Sequence, residues 1–163
     1  MNNELSFLLP DGRTIFIRPE AEETMEKYRQ HNRKDTEAGG ILVGRILLEN
    51  DHFIIDKVSQ PEPTDKRKRK RFKRKPIGHQ DFFDQVWEET DGRCFYLGEW
   101  HTHPERVPTP SFIDKKDWRR ISKEDYGSGG LFFIIVGTKI MRIWFCDRKH
   151  KNIVELKRRS VDE

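Results

Sequence analysis

Apolar residues along this chain fall in short, dense runs divided by turn-forming residues, and the spacing inside each run predicts its structure. Leu5 to Leu9 and Thr14 to Ile17 flank Pro10-Asp11-Gly12-Arg13, strong turn chemistry, so they read as two strands. Pro19 suits a first helical turn, Glu20, Glu22 and Glu23 complement its positive end, and Met25 and Tyr28 share one side. That predicts a helix across Glu20 to Gln30. Gly39 to Leu48 and Phe53 to Val58 pair as strands across Glu49 to His52, with Gly39 and Gly40 marking a close approach of backbone or ligand. His79 to Glu89 sets Phe82, Phe83, Val86 and Trp87 at helical spacing on the side that faces a sheet. Leu131 to Val136 and Ile140 to Cys146 form a hairpin across Gly137-Thr138-Lys139, and Ile153, Val154 and Leu156 add one edge strand. Strands and helices alternate, so the expectation for residues 1–163 is a single α/β (α+β) domain with a central curved mixed sheet flanked by helices.

One run leads into chemistry. Cys94 to Trp100 is rich in aromatic and apolar residues that suit a strand, and it ends in His101-Thr102-His103-Pro104. Side chains alternate faces along a strand, so His101 and His103 point one way and Thr102 the other. Pro104 and Val107-Pro108-Thr109-Pro110 stiffen a returning loop. Ser111 then opens a helix as its N-cap, with Asp114 at the third helical position and Trp118 on the core. Two imidazoles and one carboxylate make a zinc ligand set that leaves one position open, as a hydrolytic site needs. Each half also has a plainer reading: a His-x-His pair fits ordinary packing, and Ser-x-x-Asp fits a helix capping box. Their joint occurrence favours one Zn2+ held by His101, His103 and Asp114. Glu99 shares the histidines' face and is a candidate to orient one of them or to act as a base. His79, at the start of a helix, fits a capping or loop role and stays outside the ligand set.

The charged fraction of 37% and mean hydropathy of −0.90 leave the core to those few dense runs. The formal net charge is +4, yet Lys66 to Lys75 is basic at nine of ten positions; without it, 23 basic residues would face 28 acidic ones. Like charges in a block repel, so residues 65–76 read as an exposed, flexible loop. Phe72 is the run's single aromatic, which leaves mainly sequence-independent phosphate attraction; steering of an acidic protein fits better than nucleic acid. Cys94 and Cys146 lie in apolar runs and read as buried thiols. No apolar run approaches the ~20 residues of a membrane span, and no basic-then-apolar leader opens the chain, so a cytoplasmic protein without membrane attachment is expected. Residues 157–163 read as a disordered tail.

The string His101-Thr102-His103-Pro104, six residues, Ser111, two residues and Asp114 resembles the signature of the JAMM (MPN+) metalloproteases, which remove ubiquitin or ubiquitin-like modifiers. Glu37-Ala38-Gly39-Gly40-Ile41-Leu42-Val43-Gly44 resembles the same family's E-x-G-G-x-L-x-G strand. The longer string of His79-Gln80, Phe83-Asp84, Val86-Trp87, Tyr96 through Glu105 and Trp118 is similar to the small bacterial JAB/JAMM deconjugases associated with CD-NTase enzymes in cyclic-oligonucleotide antiphage (CBASS) operons.

The resemblance implies an MPN/JAB fold and a zinc metalloprotease of the deubiquitinase-like isopeptidase type. It implies Glu37 as general base and Ser111 as the group that stabilises the oxyanion, although Ser111 by itself is equally a helix cap. It also implies a substrate, a CD-NTase conjugated through its C-terminus by a separate E1/E2-like ligase. Two rivals stay open: a JAMM protease that processes another ubiquitin-like or sulfur-carrier protein or a cell-wall peptide, and a non-catalytic MPN-like module that holds a protein or nucleic acid through the basic run.

Overall fold

The computed structural model describes residues 4–149 and 152–159. In chain order these form β1 (Leu5–Leu8), β2 (Thr14–Ile17), α1 (Pro19–Glu26), β3 (Gly39–Ile46), β4 (Phe53–Val58), β5 (Lys66–Lys68), β6 (Arg71–Lys73), α2 (His79–Glu89), β7 (Phe95–Thr102), α3 (Phe112–Ile121), β8 (Gly130–Val136), β9 (Met141–Asp147), β10 (Ile153–Glu155) and β11 (Lys157–Arg158). Nine strands make one mixed sheet in the order β10-β9-β8-β7-β3-β4-β2-β1-β11, and β5 and β6 pair as a separate ribbon. Because Leu156 alone separates β10 from β11, the two edges of the sheet come together and the sheet wraps round on itself. The expected single edge strand is therefore two short strands on opposite edges. Lys157 and Arg158, expected in a disordered tail, pair with Leu8 and Phe7, while residues 160–163 of that tail lie outside the described residues.

β8 is buried along its whole length, which explains an apolar run that does not alternate. Phe132, Ile134 and Val136 join the main core with Leu42, Phe53, Trp100 and, from α1, Ala21 and Met25. Leu131, Phe133 and Ile135 face the other way, where Trp118 of α3 stacks on Phe133 with centroids 5.0 Å apart. Val86 of α2 packs with Ile41, Val43 and Cys94, while Trp87, expected on the same sheet-facing side, is half exposed. Both cysteines are buried free thiols.

The first helix and the basic run also depart from expectation. The helix predicted through Gln30 stops at Glu26, because Gln30 is drawn into the interior. Its amide donates to the carbonyls of Asp35 and Arg69 and accepts from Thr102 Oγ1 at 2.8 Å, bonds that a further helical turn would prevent. The basic run is the ribbon of β5 and β6 rather than a loop, with Lys66 opposite Lys73 and Arg67 opposite Phe72. Backbone bonding and water-facing side chains offset the repulsion: Glu37 N donates to Lys68 O at 2.7 Å and Arg67 Nε to Glu37 O at 2.9 Å.

The ribbon's base is tied down by a buried chain of hydrogen bonds. Asp65 accepts from the amides of Glu62 and Lys75 and lies 2.6 Å from His79 Nε2, whose Nδ1 meets Ser59 Oγ at 2.7 Å. Ser59 Oγ in turn accepts from Ile41 N, so the Nε2–H tautomer of His79 satisfies every member. His79 is a structural bridge between ribbon and sheet, not a cap or a loop residue.

Candidate metal centre and adjoining cleft

Strand β7 carries the site, and a bulge sets its phase. Leu42 pairs with Gly98 but Val43 with Tyr96, so Leu97 is an extra residue. Gly98 has φ +131° and the place of its missing Cβ is taken by the Phe132 carbonyl, a conformation closed to other residues. Beyond the bulge Glu99 and His101 share one face, whereas Trp100 joins the main core and Thr102 is fully buried. Thr102 Oγ1 accepts from Ala38 N at 2.9 Å, and Gly39 pairs with His101, so the residue after Glu37 is fixed beside the histidines. Gly39 and Gly40 do mark close approaches, and both are made by the chain itself. The Trp100 carbonyl and the Phe72 ring crowd Gly39, and the Ser59 carbonyl crowds Gly40.

From the other side, Ser111 caps α3 in a full capping box: its Oγ accepts from Asp114 N at 3.0 Å while Asp114 Oδ2 accepts from Ser111 N at 2.8 Å. That box aims the Asp114 carboxylate at the histidines. His101 Nε2 lies 3.0 Å from His103 Nε2 and 3.3 Å from Asp114 Oδ1, and His103 Nε2 lies 3.2 Å from Asp114 Oδ2. Glu37, 4% exposed, offers an oxygen that with both imidazoles fits within 4.8 Å. The capping box and the His-x-His pair are thus both present; Glu37, His101, His103 and Asp114 gather at one point, and Ser111 joins it through its hydrogen bonds with Asp114.

The donor set fits a small divalent cation. Ligand atoms about 2.0–2.2 Å from a tetrahedral ion stand about 3.3–3.6 Å apart, a few tenths beyond the separations found here. The electrostatics point the same way. Burial opposes the charge on His103, but hydrogen bonds to Asp114 and Glu105 outweigh it and raise its pKa to about 9. Burial would raise the Asp114 pKa, yet His101 and His103 hold its carboxyl far below the usual range. Burial pushes Glu37 up to about 7 against the opposing pull of the two histidines. A cluster that draws in positive charge next to a carboxyl titrating near neutrality can bind a cation and exchange a proton.

Two residues acquire roles that the sequence did not give them. Glu105 Oε1 lies 2.8 Å from His103 Nδ1, which directs Nε2 toward the cluster. Glu99 serves neither histidine: it accepts from Arg74 Nη2 at 2.8 Å and Tyr96 OH at 2.7 Å. An acidic residue just past a His-x-His pair was the available signal for Glu105, whereas only the fold brings Arg74 to Glu99. Glu99, Arg74 and Tyr96 line a cleft of about 1160 Å³ together with His101, Asp114 and residues of the ribbon, α2 and α3, Trp87 and Tyr126 among its other lining residues.

A wrapped mixed sheet with this cluster at the end of a central strand defines the class. The chain belongs to the JAB-domain family: residues 21–147 match the family described as prokaryotic homologs of the JAB domain. Among individual proteins it is 35% identical over 161 residues to a CD-NTase/cGAS isopeptidase of Escherichia coli (strain TW11681), covering 98% of this chain and 97% of the relative. It is 36% identical over 141 residues to a protein of the same name from Pseudomonas aeruginosa (strain BWHPSA011 / Pa011), covering 85% and 87%. A solved protein structure from Desulfitobacterium hafniense superposes with a TM-score of 0.57 at 19% identity over 86% of this chain and 88% of that one, a likeness of fold alone.

Proposed function

We propose that this protein is a zinc-dependent isopeptidase that releases a CD-NTase conjugated through its C-terminal tail, reversing a modification made by a separate E1/E2-like ligase in CBASS defence. The observation that carries the reading is the convergence of His101 Nε2, His103 Nε2 and the two Asp114 carboxylate oxygens, 3.0–3.3 Å apart, beside the buried Glu37, with His101 and Asp114 lining the cleft. The isopeptidase relatives, matched over nearly the whole chain, support the substrate.

In this reading His101, His103 and Asp114 hold the ion, and Glu105 keeps the His103 ring in place. The bound cation supplies Lewis-acid polarisation of the scissile carbonyl and makes water a better acid near neutral pH. Glu37 takes the proton from the attacking water and passes it to the leaving amine nitrogen, a transfer suited to a carboxyl with a pKa of about 7. Ser111 Oγ accepts from Asp114 N, which leaves its O–H free to donate to the oxygen that gains charge as the carbonyl is attacked. The cleft takes the extended tail leading to the cut bond.

The test pairs metal content with cleavage. Wild type should bind about one zinc per chain and cut a CD-NTase joined through its C-terminus to a lysine side chain. Glu37→Ala should keep the zinc and lose about 10²- to 10⁴-fold in kcat. Zinc present with that conjugate left intact would remove the substrate assignment, and absence of zinc would remove the metalloprotease.

A further inference from the structure

Behind the metal cluster, on a surface the proposed reaction does not use, four stretches of chain meet around an open concavity of about 760 Å³. Arg29, His31 and Arg33 come from the segment after α1, Arg69 from the tip of the basic ribbon, Arg106 from the loop after His103, and Lys139 from the turn between β8 and β9. Asn32 and Thr138 add polar groups, no carboxylate lines the concavity among the described residues, and the His31 imidazole is the one ring among those that do. The neighbouring acids are engaged: Asp35 accepts from Asn32 N, Glu105 meets His103, and Glu26 reaches Arg29 only at 3.9 Å.

These cations stand on a fixed frame. Arg69 Nη1 donates to Arg33 O at 2.9 Å and Gln30 Nε2 to Arg69 O at 2.9 Å, which bolts the ribbon tip to the segment after α1. Thr138 N donates to Glu105 O at 2.7 Å and Ile140 N to Arg106 O at 3.2 Å, which bolts the β8–β9 turn to the loop after the histidines. Mutual repulsion would part mobile side chains, but here hydrogen-bonded backbone holds their stems around one hollow. Such a concavity of one sign focuses an electrostatic field on whatever occupies it.

We propose that this concavity binds a phosphate-bearing ligand through its phosphate groups. Guanidinium forks match phosphate oxygens in pairs, and four of the five Lys and Arg side chains here are arginines. With a single exposed imidazole and no larger ring beside these cations, the site reads mainly charge and leaves base identity unread. A free oligophosphate or nucleotide and the backbone of a single-stranded nucleic acid offer the same chemistry; the compact hollow suits the first.

The test measures binding of inorganic tripolyphosphate by calorimetry and of a fluorescein-labelled single-stranded DNA 12-mer by anisotropy, each from about 50 to 200 mM salt. The variants are the double substitution Arg33→Ser/Lys139→Ser, whose side chains are exposed, and Lys115→Ser/Lys116→Ser on exposed positions of α3, which removes the same charge elsewhere. Wild type should bind tripolyphosphate, the first double variant should lose at least about tenfold, and the α3 variant should stay within about twofold. Competition of tripolyphosphate against the DNA at matched phosphate concentration identifies a small oligophosphate as the source. DNA binding that falls with the same variant but resists tripolyphosphate identifies a polynucleotide. Equal losses in both variants, or no measurable binding of either probe at the lowest salt, would overturn the proposal. Zinc content and conjugate cleavage play no part in this readout, so it stands or falls independently of the proposed function.

Discussion

At the scale of single residues, the site stores unfavourable electrostatics where chemistry needs it. Glu37 is ionised with difficulty in the folded protein, where burial raises its pKa from 4.5 to about 7. Its protonated form suits the fold, so in metal-free protein the stability it contributes is present below pH 4.5 and is lost as the pH rises through about 7. The loss amounts to roughly 3 kcal/mol. Glu37→Gln keeps the shape and cannot ionise. Urea melts of chelator-treated proteins should find the two equally stable near pH 4, and the variant more stable by that amount near pH 8. A constant difference across this range would mean that Glu37 is not buried as described. Glu105→Ala should act differently: freed from its carboxylate partner, His103 loses orientation, and zinc affinity measured by chelator competition should fall about 10- to 100-fold. Activity should then return at saturating zinc. The convergence of His101, His103 and Asp114 was legible in the sequence because strand alternation and a capping box are local rules, and these residues and Ser111 obey them. Arg74 was not, since only the fold carries the ribbon to Glu99, and Glu105 left just its place two residues past His103 as a signal.

At the scale of elements, the informative departure is the basic run. A rule about like charges treats nine cations as a solvated loop, but it takes no account of what the backbone bonds to. Here the ribbon receives the Glu37 amide and gives Arg67 to the Glu37 carbonyl, and its Phe72 ring fills the space above Gly39. The ribbon is therefore part of the mount for the proposed base. Its root is the buried Asp65–His79–Ser59 chain, formed by residues spread over three segments and invisible to any periodicity. His79→Ala takes one hydrogen bond from each of the buried Asp65 and Ser59 side chains, which keep only their backbone donors, and should destabilise the protein by about 2–3 kcal/mol in urea melts. Hydrogen exchange locates the damage: the Glu37 amide, bonded to Lys68 O, should lose protection while amides in the centre of β8 exchange only as fast as the global loss of stability requires. Unchanged protection at Glu37 would show that the ribbon holds its place without the buried chain.

Across the whole molecule, the fold and the proposed metal centre rest on separate supports. The main core spans both edges of the wrapped sheet, from Leu5 and Phe7 to Phe145 and Leu156, and it contains none of the candidate ligands. Helix α3, which brings Asp114, is held independently by Trp118 against Phe133 and Trp144. Without the ion, the histidines and Asp114 still attract one another through shared protons, so the cluster does not fly apart. A structural zinc domain would unfold under a chelator; this one should not. Chelator-treated protein should keep its far-UV circular dichroism and a single cooperative transition while losing cleavage, and added zinc should restore cleavage without a refolding step. Zinc at about 100 times its Kd should add about 2.7 kcal/mol and raise Tm by several degrees. That increment should vanish in Asp114→Ala and His101→Ala, which lose ligands, and persist in Ser111→Ala, which loses only a cap and the proposed oxyanion donor. An increment that vanished in Ser111→Ala as well would mean that Asp114 reaches the histidines only while the capping box holds it, and the serine's contribution would then be placement of the ligand.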